Sequence, residues 1–426
     1  MRSYLDELSW RGLLAQSTDG AAEALAAGQV SGYCGFDPTA DSLHVGSLVP
    51  IMGLVHLQRA GHRPVALVGG GTGLIGDPSG RASERPLADI AIIEANAEGI
   101  RKQLERFLDF TGSAAATMRN NADWLVPLAA VPFLRDVGKH FSINYMLAKE
   151  SVKARMEEGI SFTEFAYMLL QAYDFLELNR RFGVSLQIGG SDQYGNITAG
   201  CELVRRTTGG SVHGVTLPLV TRSDGSKFGK SDAGNVWLDP ARTSPYRFYQ
   251  FWINADDRDT SRYLRFFTLL ERDEIESLDR AIAEHPENRE AQAKLALDVT
   301  ARVHGSESAT TARDVSRLLF DRKADPREFG PAALQVLRDE IPFRRLNSVR
   351  DVSGADGQAS VLDMLVETGL VKSKGDGRRQ LQQGAITING RRLGSEEQFV
   401  SATEALAGGY YLIRKGSRDI ALVELA

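Results

Sequence analysis

The chain has 426 residues, a length that predicts two or three domains rather than one. Hydrophobic residues make up 42% and charged residues 25%, which excludes a disordered or collagen-like chain. Fifty Lys and Arg stand against 55 Asp and Glu, so a nucleic-acid partner would have to meet a local basic patch, because the global field weakly repels it.

Cys34 and Cys201 are too few for a disulfide framework or a four-thiolate zinc site. Met1 to Trp10 carries Asp6 and Glu7 and no apolar run, so it does not read as a secretion signal, and the cytosol is the expected compartment. The longest stretch free of Asp, Glu, Lys and Arg, Ser42 to Gln58, has 17 residues and includes two His and Pro50. A membrane span needs roughly 20 mostly apolar residues, so none is expected.

Between residues 29 and 221, β-rich runs alternate with helical patterns. Val30 to Phe36, Pro64 to Val68, Ser185 to Ile188 and Val215 to Val220 are the expected strands, and the alternation predicts a parallel sheet with helices on its faces. Glycines cluster just after these runs, where they would let a ligand approach the backbone in the crevice at the strands' carboxyl ends.

The first strand runs into Asp37-Pro38-Thr39, and Leu43-His44-Val45-Gly46-Ser47 then opens a helix whose free N–H groups favour an anion. Gly71-Thr72-Gly73-Leu74-Ile75-Gly76 matches the dinucleotide fingerprint, but the acidic residue expected about 20 positions later is missing. Asp77, Arg81 and Arg85 follow it in a loop. Ser161-Phe162-Thr163-Glu164 is a capping box that starts a mostly apolar helix to about Arg181. On that helix Tyr167, Gln171 and Asp174 form one polar stripe, which either neighbouring side chains or a polar ligand must satisfy. Ile188 to Gln193 offers backbone amides and Asp192, a reasonable acceptor for a ribose hydroxyl. Thr221 to Ser231 carries Lys227 and Lys230 between mobile glycines, a loop able to close over a polyphosphate.

Beyond Ser244 the strand signals give way to helical spacing, as in Tyr263, Phe266, Phe267 and Leu270. A Pro-, Gly- and Ser-rich connection around Asp321 to Ser360 leads to a small last unit. There Lys372, Lys374, Arg378, Arg379, Arg391 and Arg392 face the single acid Asp376 in the stretch they span, a local charge of +5.

Taken together these motifs resemble the class I aminoacyl-tRNA synthetases, and among them the bacterial tyrosine–tRNA ligases. His44-Val45-Gly46-Ser47 is similar to the HIGH signature and Lys227 to Ser231 to the KMSKS loop, while Gly377 to Leu381 and Gly384 to Gly390 resemble an S4-type RNA-binding domain. The resemblance implies an α/β fold: a Rossmann-like catalytic domain over residues 1–243, a helical tRNA-binding domain over 244–345, a linker over 346–359 and a small α+β S4-like domain over 360–426.

It also implies roles. Tyr33 and Asp174 would bind the tyrosine hydroxyl, Asp77, Tyr167 and Gln171 its ammonium group, and Gln187 would lie near its carboxylate. Cys34, Gly35, Asp37, His44, Gly46, Ser47, Gly190, Asp192, Gln193 and Lys230 would surround ATP and the adenylate. Thr39, His44, Lys227 and Lys230 would hold the pyrophosphate, with Arg81 and Arg85 assisting, and the six basic residues from Lys372 to Arg392 would meet tRNA. ATP would enter as a substrate with Mg²⁺, with no metal or organic cofactor bound by the protein itself, and the chain would work as a homodimer away from membranes. The sequence departs from the pattern at Ser47, where a second histidine is expected, at Arg81 for lysine, and at Tyr194 for tryptophan. Two other readings stand beside this one: a nicotinamide-dependent oxidoreductase built on Gly71 to Gly76, and a non-catalytic RNA-binding relative.

Overall fold

Five strands run parallel through the N-terminal unit: β2 (Ser31–Phe36), β3 (Arg63–Val68), β4 (Thr117–Asn120), β5 (Leu186–Gly190) and β6 (His213–Leu217). A two-residue strand, β1 (Gln16–Ser17), joins β6 antiparallel, and the order across the sheet is β1-β6-β5-β2-β3-β4. The computed structural model describes residues 3–77, 89–149, 152–153, 156, 159–231, 234–321, 323–346, 358–397, 399–416 and 418–425.

All four expected strands form, displaced by one to three residues at their ends. The last one stops at Leu217 because Pro218 has no N–H to give to a ladder. β4 escapes sequence reading because Thr-Met-Arg-Asn at a sheet edge has no apolar alternation.

Strand order, more than strand identity, places the site. The chain builds β2, β3 and β4 outward in one direction, then returns to lay β5 and β6 on the other side of β2. β2 and β5 share only two register pairs, Gly32 with Leu186 and Tyr33 with Gln187. Such a reversal opens a crevice at the strands' carboxyl ends.

Alternation along β2 sends Tyr33 and Gly32 to opposite faces. The helix Leu48–Arg59 lies on the Gly32 face, where a Cβ on Gly32 would stand 2.8 Å from Leu57 and one on Gly53 would stand 2.8 Å from Leu217. The helices Phe162–Phe182 and Tyr194–Thr208 cover the Tyr33 face, in a core with Val65, Leu67, Phe175 and Leu203. Ser161 caps the first of these, its hydroxyl accepting from the Glu164 N–H at 3.2 Å.

The division into compact units differs from the expected domain boundaries. One unit holds residues 1–244 and 251–303, the other 245–250 and 304–426. The expected helical domain over 244–345 is therefore split. Its helix Asp257–Phe267 belongs to the first unit because Arg11, buried, donates to the carbonyls of Arg265, Thr268 and Leu270 at 2.9–3.0 Å.

The second unit carries helices Ser306–Phe320 and Pro331–Glu340 and a five-stranded sheet in the order β9 (Arg391–Arg392), β8 (Ile386–Ile388), β10 (Tyr410–Lys415), β11 (Asp419–Leu425), β7 (Phe343–Leu346). β7 pairs parallel with β11, so residues 343–346, expected to end the helical domain and begin the linker, are part of the C-terminal sheet. Gln358–Ser360 pairs with Phe399–Ser401 and shortens the linker from its other end, while 347–357 lie outside the described residues.

The helix Ile90–Leu104 crosses the segment after β2 so closely that a Cβ on Gly99 would lie 2.2 Å from the Asp41 carbonyl oxygen. Replacing a mid-helix glycine by alanine ordinarily adds about 0.5–1 kcal/mol of stability. Here backbone blocks the methyl, so Gly99→Ala is expected to cost about 1–3 kcal/mol instead, read as a lower urea midpoint. A raised midpoint would show that the two segments can separate freely.

Candidate active site

The crevice at the β2/β5 reversal is a cleft of about 1020 Å³. One end is aromatic and apolar. There Asp174, 2% exposed, reaches the sheet from the Phe162–Phe182 helix, and its carboxylate accepts from Trp124 Nε1 at 2.7 Å and Asn121 Nδ2 at 2.9 Å. Burial pushes its pKa up to about 7, against the lowering effect of those two donors.

Tyr33 and Gln187, opposite each other on β2 and β5, line the same end. Tyr33 Oη and Gln187 Oε1 are buried with no hydrogen-bond partner among the described residues. A buried polar atom left in this way costs roughly 1–3 kcal/mol. Loss of water, then the nearby Asp174 charge, holds the Tyr33 hydroxyl well above its ordinary pKa, so it is a neutral donor and acceptor.

The middle of the cleft is a hydrogen-bonded chain. Tyr167 donates to Asp37 at 3.2 Å, and Thr72 donates to the other oxygen of Asp37 at 2.9 Å. Gln193 donates to Asp77 at 2.8 Å and accepts from Gln171 at 3.2 Å and Asn196 at 3.1 Å. Loss of water and the Asp77 charge raise the Asp192 pKa. The polar stripe therefore has partners for Tyr167 and Gln171 within the protein, and these leave one face of the chain toward the cleft.

The far end is cationic and amide-rich. His44 caps the helical turn Val45–Ser47, its Nδ1 accepting from the Gly46 N–H at 3.0 Å. Accepting there leaves the proton on Nε2, and loss of water lowers the ring's pKa, so His44 is a neutral donor at the mouth of the cleft. Lys227 lines the same end. The Val45 N–H donates to the Val236 carbonyl and the Val236 N–H to the Gly229 carbonyl, both at 3.0 Å, which ties the lysine loop to the His44 turn.

Of the expected residues, Tyr33, Cys34, Gly35, Asp37, Thr39, His44, Gly46, Ser47, Asp77, Tyr167, Gln171, Asp174, Gln187, Gly190, Asp192, Gln193 and Lys227 are brought together around this one cleft. Lys230 is not among its lining residues: its side chain is exposed and its carbonyl accepts from Arg222 at 3.1 Å. Arg81 and Arg85 lie outside the described residues.

The glycine run does not behave as a dinucleotide fingerprint. Thr72–Leu74 is a short 3₁₀ turn, not the start of a helix. A Cβ on Gly69 would lie 2.2 Å from Asp37 Oδ1, and one on Gly70 would lie 2.4 Å from Asn120 Oδ1. Gly69 and Gly70 make room for the protein's own side chains, while Gly69 and Gly73 also line the cleft. Among the described residues no group of three or more His, Cys, Asp or Glu is placed to hold a metal ion.

A family model described as tRNA synthetases class I (W and Y) matches residues 26–321, and one described as the tyrosine–tRNA ligase SYY-like C-terminal domain matches 344–423. A tyrosine–tRNA ligase of Anaeromyxobacter dehalogenans is 53% identical over the whole of both chains, and one of Bacillus caldotenax is 50% identical over 99% of each. This chain belongs to the tyrosine–tRNA ligase family. Its fold is that of the class I synthetases: the C-terminally truncated mitochondrial tyrosyl-tRNA synthetase of Aspergillus nidulans superposes with a TM-score of 0.69 at 31% identity, covering 75% of this chain and 95% of that one.

Sequence reading missed four residues that shape this family member's cleft. Asn121 and Trp124 follow the unrecognised strand β4, and the adjacent Asn120-Asn121 pair was the available signal. Asn196 sits one turn into a helix, and Trp237 packs its ring edge-on to His44 at 6.3 Å after a further 190 residues of chain, where no local pattern connects them.

The buried Asp174 has a measurable consequence. Between its ordinary pKa of 3.8 and about 7 the folded chain holds a proton that the unfolded chain has released. Stability therefore falls as pH rises across that window. Asp174→Asn is expected to flatten the fall, seen as a smaller loss of urea midpoint from about pH 5 to about pH 8 than in the parent; an identical loss would mean that Asp174 titrates normally.

Proposed function

We infer that the chain activates L-tyrosine with ATP to tyrosyl-adenylate and pyrophosphate, then transfers tyrosine to the 3′-terminal adenosine of tyrosine tRNA. The observation that carries this reading is a single cleft whose aromatic end holds the unsatisfied Tyr33 hydroxyl beside the Asp174 carboxylate and whose other end holds His44 and Lys227. A phenol fits the first end, since it donates to Asp174 and accepts from Tyr33. The Asp77, Tyr167 and Gln171 group suits the ammonium, and Gln187 the carboxylate.

No protein nucleophile is required. The tyrosine carboxylate attacks the α-phosphorus in line, the bond to the β-phosphate oxygen breaks, and the negative charge gathering on pyrophosphate meets Nε2–H of His44, Thr39 and Lys227. The protein contributes position and charge. Lys230 joins when the loop moves inward, and Arg81 and Arg85 are proposed to assist in holding the pyrophosphate. Cys34, Gly35, Asp37, Gly46, Ser47, Gly190, Asp192 and Gln193 surround the nucleotide. The magnesium complex of ATP is the substrate form, and the cytosol the place of work.

The C-terminal unit is proposed to hold tRNA by its phosphates. Lys374, Arg379 and Arg391 already pair with Asp363, Asp376 and Glu397, while Lys372 and Arg378 are exposed and have no ion-pair partner among the described residues. A second copy of the chain is proposed to cover the exposed apolar side chains Val126, Val131, Leu134 and Phe162. The helix Ala130–Asp136 has no buried residue, and Val131 and Phe162 are each 76% exposed. Against the oxidoreductase reading, Thr72–Leu74 within Gly71 to Gly76 is a 3₁₀ turn rather than the start of a helix, and a Cβ on Gly71 would stand 2.8 Å from Leu125.

Tyrosine-dependent exchange of labelled pyrophosphate into ATP tests the reading, and silence with tyrosine while another amino acid supports exchange would refute it. Lys227→Ala is expected to slow adenylate formation far more than it weakens tyrosine binding, because the loop acts on the departing charge; equal losses would place Lys227 in ground-state binding. Lys372→Glu with Arg378→Glu is expected to leave exchange intact, weaken tRNA charging and reduce its sensitivity to salt. An unaltered salt dependence would remove these two cations from the RNA surface.

A further inference from the structure

The lysine loop carries one large apolar side chain between its two cations. Phe228 lies within 6 Å of four aromatic rings: Tyr263 at 5.1 Å, Phe267 at 5.3 Å, Phe251 at 5.7 Å and Trp252 at 5.9 Å. With Phe267 it is stacked nearly flat, the planes 6° apart. The cage is rigid: Trp252 and Phe267 are at most 1% exposed, and they touch each other at 5.0 Å. Each ring pair of this type is worth about 0.5–1.5 kcal/mol beyond area burial. A loop rich in glycine and serine has no other apolar hold of this kind among its described residues.

The start of the loop is fixed to the same helix that supplies Tyr263 and Phe267. Asp259 accepts from the Ser223 N–H at 3.0 Å and from its hydroxyl at 3.2 Å, and Arg262 donates to the Thr221 carbonyl. On the far side Gly229, in the left-handed region at φ +83°, passes so close to Val45 that a Cβ would meet it at 2.9 Å. Phe228 is thus the pivot between a clamped entrance and a close contact with the His44 turn. Its immediate neighbour Lys227 faces the cleft.

We propose that Phe228 is the positioning residue of the loop: its ring, held by Phe251, Trp252, Tyr263 and Phe267, sets where Lys227, and after inward movement Lys230, meet the departing pyrophosphate. The inference rests on the tyrosine-activation reading above. It makes the aromatic cage part of the catalytic geometry although Phe251, Trp252, Tyr263 and Phe267 are not among the cleft's lining residues, whereas Phe228 is. It also gives the helices after residue 250 a direct mechanical hold on the chemistry of the first step.

Single-turnover adenylate formation at saturating tyrosine and ATP tests it, beside an equilibrium titration of tyrosine. Phe228→Ala is expected to lower the rate roughly tenfold or more while tyrosine affinity stays within about twofold, since what is lost is orientation. Phe228→Leu, which keeps apolar bulk in the cage, is expected to recover most of the rate. In a chain already carrying Lys227→Ala and Lys230→Ala, adding Phe228→Ala is expected to cost less than about twofold, because residues that act as one unit are not additive. A rate unchanged by Phe228→Ala, an equal loss with and without the lysines, or parallel losses of rate and tyrosine affinity would each overturn the proposal. A parent chain that binds ATP and tyrosine yet forms no adenylate would instead overturn the functional reading on which it rests.

Discussion

The Asp174 carboxylate lies among Tyr33, Phe175 and Trp124, and it is tolerated there because two N–H groups from the segment after β4 reach it. Much of the cleft's architecture follows from this need. Trp124 and Asn121 have to stand at the end of an edge strand, Asn121 has to hold Thr72 as well, and Thr72 in turn donates to Asp37. One buried carboxyl group therefore links three loops at the carboxyl edge of the sheet. A hydroxyl-bearing aromatic ligand meets a site whose polar groups are already fixed, so little reorganisation has to be offset on binding.

The cationic end is built in the opposite way. His44 and Lys227 are held by backbone hydrogen bonds between short turns, and their charge or proton is delivered into solvent-accessible space. Rigidity suits recognition of a ring, while a loop suits a group that must enter as a triphosphate and leave as a diphosphate. In the proposed mechanism the two ends, which differ in mechanics, act at different moments of the reaction.

Much of this was legible in the sequence. The alternation that gives the parallel sheet, the capping box at Ser161, the stripe of Tyr167, Gln171 and Asp174, and the two signature-like segments all report local requirements, and each forms where the pattern put it. What was hidden is non-local. Asn121 and Trp124 gain their meaning only from Asp174, some 50 residues later in the chain, and β4 has too little hydrophobic alternation to reveal itself. Sequence also could not show that Asp37 and Asn120 occupy the space beside Gly69 and Gly70. The compact units differ from the expected domain division for a related reason, since a parallel strand such as Phe343–Leu346 finds its partner near the far end of the chain.

The place of β5 beside β2 also bears on how the molecule is made. Residues 31–36 must wait for 186–190 before the crevice between them has two walls, while β3 can join β2, and β4 join β3, much earlier. On a ribosome the first half of the sheet would emerge with one flank of β2 uncovered, an open edge able to pair with the wrong strand. Vectorial synthesis thus makes the substrate pocket one of the last features of the catalytic unit to exist.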